Sequence, residues 1–249
     1  MSDPTFLATQ NPHVRDEDIV FDEGPHIYYL KGKRVSISVT TFVHKFFPHF
    51  NANKIATMTY RKHFKNSNSK YFNKTVDEIK EMWEINRDEA AQAGTKMHRD
   101  IELFYNNEPI DNTSIEFSYF KNFYEDFPEL KAYRTEWVVY HEEFDIAGSI
   151  DMIYKNEDGT LSIYDWKRSK EIVEHNGYEN GAPPLDHISH CNYYHYALQL
   201  NTYKYILENK YDQTVKELCL IVLHPNNENY RRYELPDLQE EVKAMFNHQ

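Results

Sequence analysis

Two cysteines, Cys191 and Cys219, are the only thiols in 249 residues. They cannot build the disulfide framework of a small secreted scaffold, nor supply the four thiolates of an iron–sulfur cluster. Both are expected as buried small hydrophobes in a reducing compartment. Long apolar runs are also missing. No stretch approaches the roughly 18 to 20 apolar residues that a membrane-spanning helix needs. The opening MSDPTFLATQNPHVRDEDIVFDEG is acidic, without the apolar core of a signal peptide or the arginines of a mitochondrial presequence. A soluble, intracellular protein with no membrane partner is expected. Positive charge is scarce too: 28 Lys and Arg face 40 Asp and Glu, a formal net charge of −12. That balance is the reverse of what phosphate contact ordinarily requires.

What is present is ordinary globular material, with 40% hydrophobic and 15% aromatic residues, enough to bury one good-sized core. Charge, however, is unevenly spread. Residues 51–76, NANKIATMTYRKHFKNSNSKYFNKTV, hold Lys54, Arg61, Lys62, Lys65, Lys70 and Lys74 and no acid, leaving 22 basic residues to share the rest of the chain with all 40 acidic ones. A cationic strip on an acidic body is a local phosphate-binding surface whatever the net charge. Tyr60, His63, Phe64, Tyr71 and Phe72 are interleaved with it as possible platforms for stacked bases. The plainer alternative is a solvated helix face.

Periodicity predicts a hairpin over 25–38, a short helix capped by Thr40 or Thr41 and stopped by Pro48, and a helix over 52–64. A long helix follows over 76–105, with Asn86 or Gly94 as possible breaks, and another over 114–127. Three strands are expected at 133–141, 144–154 and 161–167, the last two joined by the hairpin signal Asn-Glu-Asp-Gly at 156–159. A polar loop, a helix over 190–208, a strand over 217–224 and a helix begun by Pro236 complete the chain. One compact unit is expected, divisible into an N-terminal hairpin and helical region, 1–85, and a core, 86–249.

Alternation along a strand places Asp165 and Lys167 of YDWKRS on one face and Tyr164 and Trp166 on the other. The hairpin turn brings Asp151 of IAGSIDMIY to the same sheet edge. Two aspartates and the Trp166 backbone carbonyl offer the oxygen donors that magnesium prefers, and Lys167 beside them can steady developing negative charge. Alone, D-x-K is more often a cross-strand ion pair. On the long helix, His98 and Glu102 stand four residues apart on one face with Ala91 and Gly94, whose small size would let helix and sheet approach closely. Gln199 and Tyr203 repeat the i, i+4 spacing on the later helix, where they can hydrogen-bond phosphate or base. Glu136 of RTEWVVY, on an adjacent strand, is a possible additional acid, as is Glu102. His187, His190, Cys191 and His195 form a competing zinc constellation, though their spacing fits no finger pattern.

Taken in order, GTKMH with His98, AGSID with Asp151, YDWK with Asp165 and Lys167, and QLNTY with Gln199 and Tyr203 resemble the motif series of RecB-like exonucleases in the PD-(D/E)XK nuclease superfamily. SISVTTFVHKFFPHF also resembles a Ser-Val-Thr segment that precedes the core in some such enzymes. The resemblance covers about Gly94 to Tyr203, extending toward His224 with its flanking elements. It implies an α/β, restriction-endonuclease-like core: a mixed central β-sheet flanked by helices, with the N-terminal hairpin and helices as an elaboration. It further implies a magnesium or manganese site on His98, Asp151 and Asp165, a catalytic Lys167, and Gln199 and Tyr203 near the nucleic acid. The implied activity is hydrolysis of DNA, chiefly single-stranded or from free ends. Ile150 stands where the family name has proline, and the cysteine cluster of the iron–sulfur members is missing, so no such cluster is expected. An endonuclease acting on DNA or RNA through the same site, or a nucleic-acid-binding subunit without catalysis, are the alternatives.

Overall fold

The computed structural model describes residues 5–248. By contact density they fall into two units: the described parts of Met1–Pro48 with Met97–Gln249, and His49–Lys96. This differs from a division at residue 85, because the N-terminal segment is tied into the sheet of the larger unit. Asp16 accepts from Arg134 Nη1 and Trp137 Nε1, both at 2.8 Å, and the Arg15 guanidinium lies 4.0 Å over the Tyr140 ring.

In the larger unit a short helix α1 (Phe6–Gln10) and a 3-10 turn (Val14–Asp18) lead into an antiparallel sheet of β1 (Ile19–Asp22), β2 (Ile27–Leu30) and β3 (Lys33–Arg34). The strand β4 (Ile37–Ser38) runs straight into α2 (Val39–His44), whose N-cap is Ser38, accepting from Thr41 N at 3.1 Å, in place of the expected threonines. The helix α3 (Ala52–His63) belongs to the smaller unit. There Thr75 and Glu78 form a reciprocal capping box that starts α4 (Val76–Tyr105), a continuous 30-residue helix unbroken at Asn86 or Gly94. The chain continues through α5 (Ile115–Asp126), β5 (Lys131–His141), β6 (Ile146–Lys155), β7 (Leu161–Lys167), α6 (Asn192–Lys210), β8 (Val215–Val222), β9 (Arg231–Glu234) and α7 (Gln239–Asn247).

The main sheet is mixed, flanked by helices, and ordered β4-β6-β7-β8-β9, with β5 on the other edge of β6. Each face has its own core. Val39, Phe42, Ile163, Leu198, Ile206, Leu220 and Phe246 join α2, α6 and α7 to one face. Met97, Ile101, Phe120, Phe123, Tyr164, Trp166 and Ile221 join the end of α4 and α5 to the other. No helix among the described residues is long and apolar enough to cross a membrane.

One edge of β6 changes partner part-way along its length. β7 pairs with β6 only as far as Met152↔Tyr164, and β4 takes the same edge of β6 only at Ile37↔Ile146 and Ser38↔Ala147. Between them, residues 148–151 of β6 face an opening in the sheet where two strands have parted.

Candidate functional site

The parted strands would next have paired Asp151 with Asp165. Instead, the Asp151 carboxylate occupies the gap, accepting from Trp166 N at 3.0 Å in place of a ladder carbonyl. A strand residue's N–H and C=O point to the same side. The Lys167 carbonyl accepts from Leu223 N beyond β8, so the Trp166 carbonyl opens toward Asp151.

On the other edge of β6, the β5 register (Thr135↔Met152, Trp137↔Ile150) sets Glu136 opposite Asp151. Glu136, Asp151 and Asp165 thus form one row across three strands. His98, from the last turns of α4, completes the group, with Nδ1 3.4 Å from Asp151 Oδ2 and 3.9 Å from Glu136 Oε1. Among the described residues, His98, Glu136 and Asp151 form the group of potential metal ligands whose donor atoms all lie within 4.8 Å of one another, and Asp165, expected as a ligand, lies outside that group.

Asp165 is buried, 2% exposed, with Lys167 Nζ 2.5 Å from its Oδ2. This ion pair, at the start of the separated stretch of β7, is shielded from water. Burial, then the Asp151 charge, pushes the Asp165 carboxyl above the usual range, and burial does the same to Asp151. For His98 burial acts downward but the Asp151 and Glu136 charges prevail and carry it up to about 9. Burial opposes the charge on Lys167 as well, and the two aspartates outweigh it, so the amine stays charged. Two acids, Glu136 and Asp151, crowd against one imidazole, with the Asp165–Lys167 ion pair beside them. That donor set fits a hard divalent cation.

Glu136 reaches the row through an unusual backbone. Its φ is 43°, in the left-handed region, inside a strand already irregular between Ala132 and Arg134. Holding a non-glycine residue there costs about 1 kcal/mol or more. Glu136→Gly is therefore expected to be more stable than Glu136→Ala by about 1 kcal/mol, inverting the usual strand preference. Urea denaturation of both variants measures it, and an alanine variant as stable as the glycine one would mean the strain is absent.

Tyr203 is 3% exposed, and a Cβ built on Gly148 would lie 2.8 Å from its hydroxyl and from Cε1. The helix touches bare β6 backbone there. Gln199 stands one turn earlier on the same helix. Tyr203 is thus a buried support under the strand that carries Asp151, while Gln199 faces a cavity. About 330 Å³ in volume, that cavity is walled by Thr40, His44, Lys167, His195, Tyr196 and Gln199 among others. The Tyr196 ring lies 5.1 Å from Lys167 Nζ.

Other expectations come out differently. The close approach comes at Gly148; a Cβ added at Gly94 would meet nothing within 4 Å. Glu102 pairs with Arg99 at 2.7 Å and lies outside the His98 group. Tyr28, which nothing in the sequence singled out, is buried in β2 beside the row; burial and the Glu136 charge raise its hydroxyl to about 12. His187, His190, Cys191 and His195 do not converge: His187 pairs with Glu241, His190 with Glu179, and Cys191 is the N-cap of α6.

His195 instead stacks on His190, with centroids 5.1 Å apart, and its buried Nε2 has no partner. Burial, then the neighbouring His44 and His190, hold it down to about 4. A depressed histidine contributes stability that is complete above its unfolded value, about 6.5, and drains away as the pH falls toward 4. On the order of 1–2 kcal/mol is at stake, after discounting for partial solvation. His195→Gln should flatten the fall in melting temperature on acidification across that window; parallel wild-type and variant curves would refute the assignment.

Comparison with protein-family models and with curated proteins returns no match for this chain.

Proposed function

We propose that this chain is a metal-dependent DNA exonuclease of the RecB-like, PD-(D/E)XK type, hydrolysing phosphodiester bonds from free ends with a single-strand preference, on a restriction-endonuclease-like form of its α/β core. The observation that carries the reading is the meeting of His98, Glu136 and Asp151, with the Asp165–Lys167 ion pair beside them, where β6 and β7 separate. The order and type of these residues match the motif series, and the preference for ends and single strands rests on that resemblance.

His98, Glu136, Asp151 and Asp165, with the Trp166 carbonyl, would hold magnesium or manganese. When bound, such an ion supplies Lewis-acid polarisation of the phosphodiester and lowers the pKa of a water at the site. The protein's own groups do the rest. Asp165 keeps Lys167 cationic and aimed, so the amine can offset negative charge as it develops on the phosphoryl oxygens. Gln199, in the cavity wall beside Lys167, offers an amide to phosphate or base, and Tyr203 packs against the Gly148 backbone of the strand that carries Asp151.

The test is one gel: end-labelled linear single-stranded DNA, circular single-stranded DNA and RNA, each with magnesium, with manganese and with chelator. Label released from linear DNA alone, and only with metal, is expected. Cutting of the circle would move the reading to an endonuclease, and no hydrolysis of any substrate with either metal would end it.

A further inference from the structure

The unit His49–Lys96 carries 9 basic and 6 acidic residues in a chain whose net charge is −12. Its acids are concentrated on α4, where three of them are already paired: Glu78 with Lys74, Asp77 with Lys80 and Asp88 with Arg87. Arg61, Lys62 and Lys65 are exposed and in no ion pair among the described residues. The cationic end of α3 is therefore uncompensated.

Of the aromatic residues interleaved with these charges, Phe72 is exposed, but it lies beyond α3, and the others pack on one another. Tyr60 packs on Phe64 at 4.8 Å, His63 on Tyr71 at 5.9 Å, and Tyr71 accepts from Trp83 Nε1 at 2.9 Å, so these rings are half-buried against one another. What α3 exposes is aliphatic. Ile55 and Met58, 37% and 57% exposed, share one face with Thr59 and Lys62 at helical spacing. Together with Arg61 and His63 they line an open groove of about 600 Å³. An apolar floor with cationic banks on one short helix needs a ligand of both characters.

We propose that this α3 groove docks single-stranded nucleic acid, with phosphates on Arg61 and Lys62 and unstacked base faces on Ile55 and Met58. Charge complementarity selects a polyanion, and the exposed aliphatic floor selects one whose bases are uncovered, since a duplex hides its base faces and would leave Ile55 and Met58 against water. Lys74, committed to Glu78, is outside the groove. The inference deepens the nuclease reading and rests on it for the kind of polyanion; binding itself is independent of cleavage.

The experiment is a fluorescence-anisotropy titration of the full chain with labelled oligothymidylate and with a duplex of equal length, in chelator so that nothing is cut, over a range of salt. Arg61→Glu with Lys62→Glu should weaken single-strand binding by about tenfold or more at low salt and lower the salt slope by roughly 1 to 2. Ile55→Ser with Met58→Ser should weaken the single strand roughly fivefold and leave the duplex unchanged. All four side chains are exposed, and circular dichroism verifies the fold. Unchanged single-strand affinity in both variants would overturn the proposal. So would binding to vesicles of anionic phospholipid with none to the oligonucleotide, which would make the groove a membrane-surface contact. Failure of the nuclease reading would show separately, as wild-type protein that binds the oligonucleotide in chelator yet never cuts it with metal.

Discussion

Lys167→Ala is expected to lower the turnover of DNA roughly 10³-fold while leaving manganese binding in place, whereas Asp151→Asn removes both. The contrast follows from where each group stands. Asp151 is central to the row: its carboxylate meets Trp166 N at 3.0 Å and His98 Nδ1 at 3.4 Å, with Glu136 in register across the strand. Replacing it with a neutral amide takes away one of the anionic donors and the charge that orients the imidazole. Lys167 is a cation beside the site, paired with Asp165 at 2.5 Å, so its removal relieves competition for the Asp165 carboxylate. Manganese affinity should hold or tighten, measured by calorimetry, as activity collapses. A Lys167→Ala protein that cuts at the wild-type rate would strip the amine of its assigned role, and an Asp151→Asn protein that still takes up manganese would move the ion elsewhere.

Gly148→Ala should destabilise the fold by about 1–3 kcal/mol, the usual cost of forcing a methyl into a filled core. That Cβ would stand 2.8 Å from two atoms of Tyr203 and 3.1 Å from Val39 Cγ2. A fully packed aromatic ring between helix and strand has nowhere to withdraw, so β6 must shift, and Asp151 lies three residues along the same strand. Activity should fall with stability. Tyr203→Leu, which empties the space, should recover part of the loss in the double variant, giving strong non-additivity in the cycle. A Gly148→Ala protein within 0.5 kcal/mol of wild type, a difference roughly the size of ordinary surface substitutions, would show that the close approach is relaxed in solution.

Much of the site could be read from local pattern. Strand alternation put Asp165 and Lys167 on one face and sent Tyr164 and Trp166 to the other, where their rings pack into the second core. The turn at 156–159 closed with Gly159 at φ 84°. Periodicity located α4 and α5 within a residue of their starts. The misreadings share a cause. Glu136 stood only as a possible acid because its place in the row depends on a left-handed residue and a register slip that side-chain periodicity does not encode. Gly94 looked like the point of close approach because it lies near His98 in sequence, yet the contact that needs a glycine is between Gly148 and Tyr203, far along the chain on α6. Tyr60, His63, Phe64 and Tyr71 looked exposed because their neighbours are charged, and they are spent on one another. β9, Arg-Arg-Tyr-Glu at a sheet edge, carries a single aromatic residue and little apolar signal to find.

By itself, the sequence determined which chemistry was on hand: an imidazole, two aspartates and an amine on elements whose periods place each on a definite face, with Glu136 as a further acid nearby in the chain. Those facts are local, since 3.6-residue and 2-residue repeats follow from backbone geometry alone. Only the tertiary structure decided that the five groups meet. It did so by ending the β6–β7 ladder at Met152 and Tyr164, lending the rest of that edge to β4, and seating Tyr203 against bare backbone at Gly148. The physical reason is that strand partnering depends on contacts between segments far apart in the chain, which no window of residues contains.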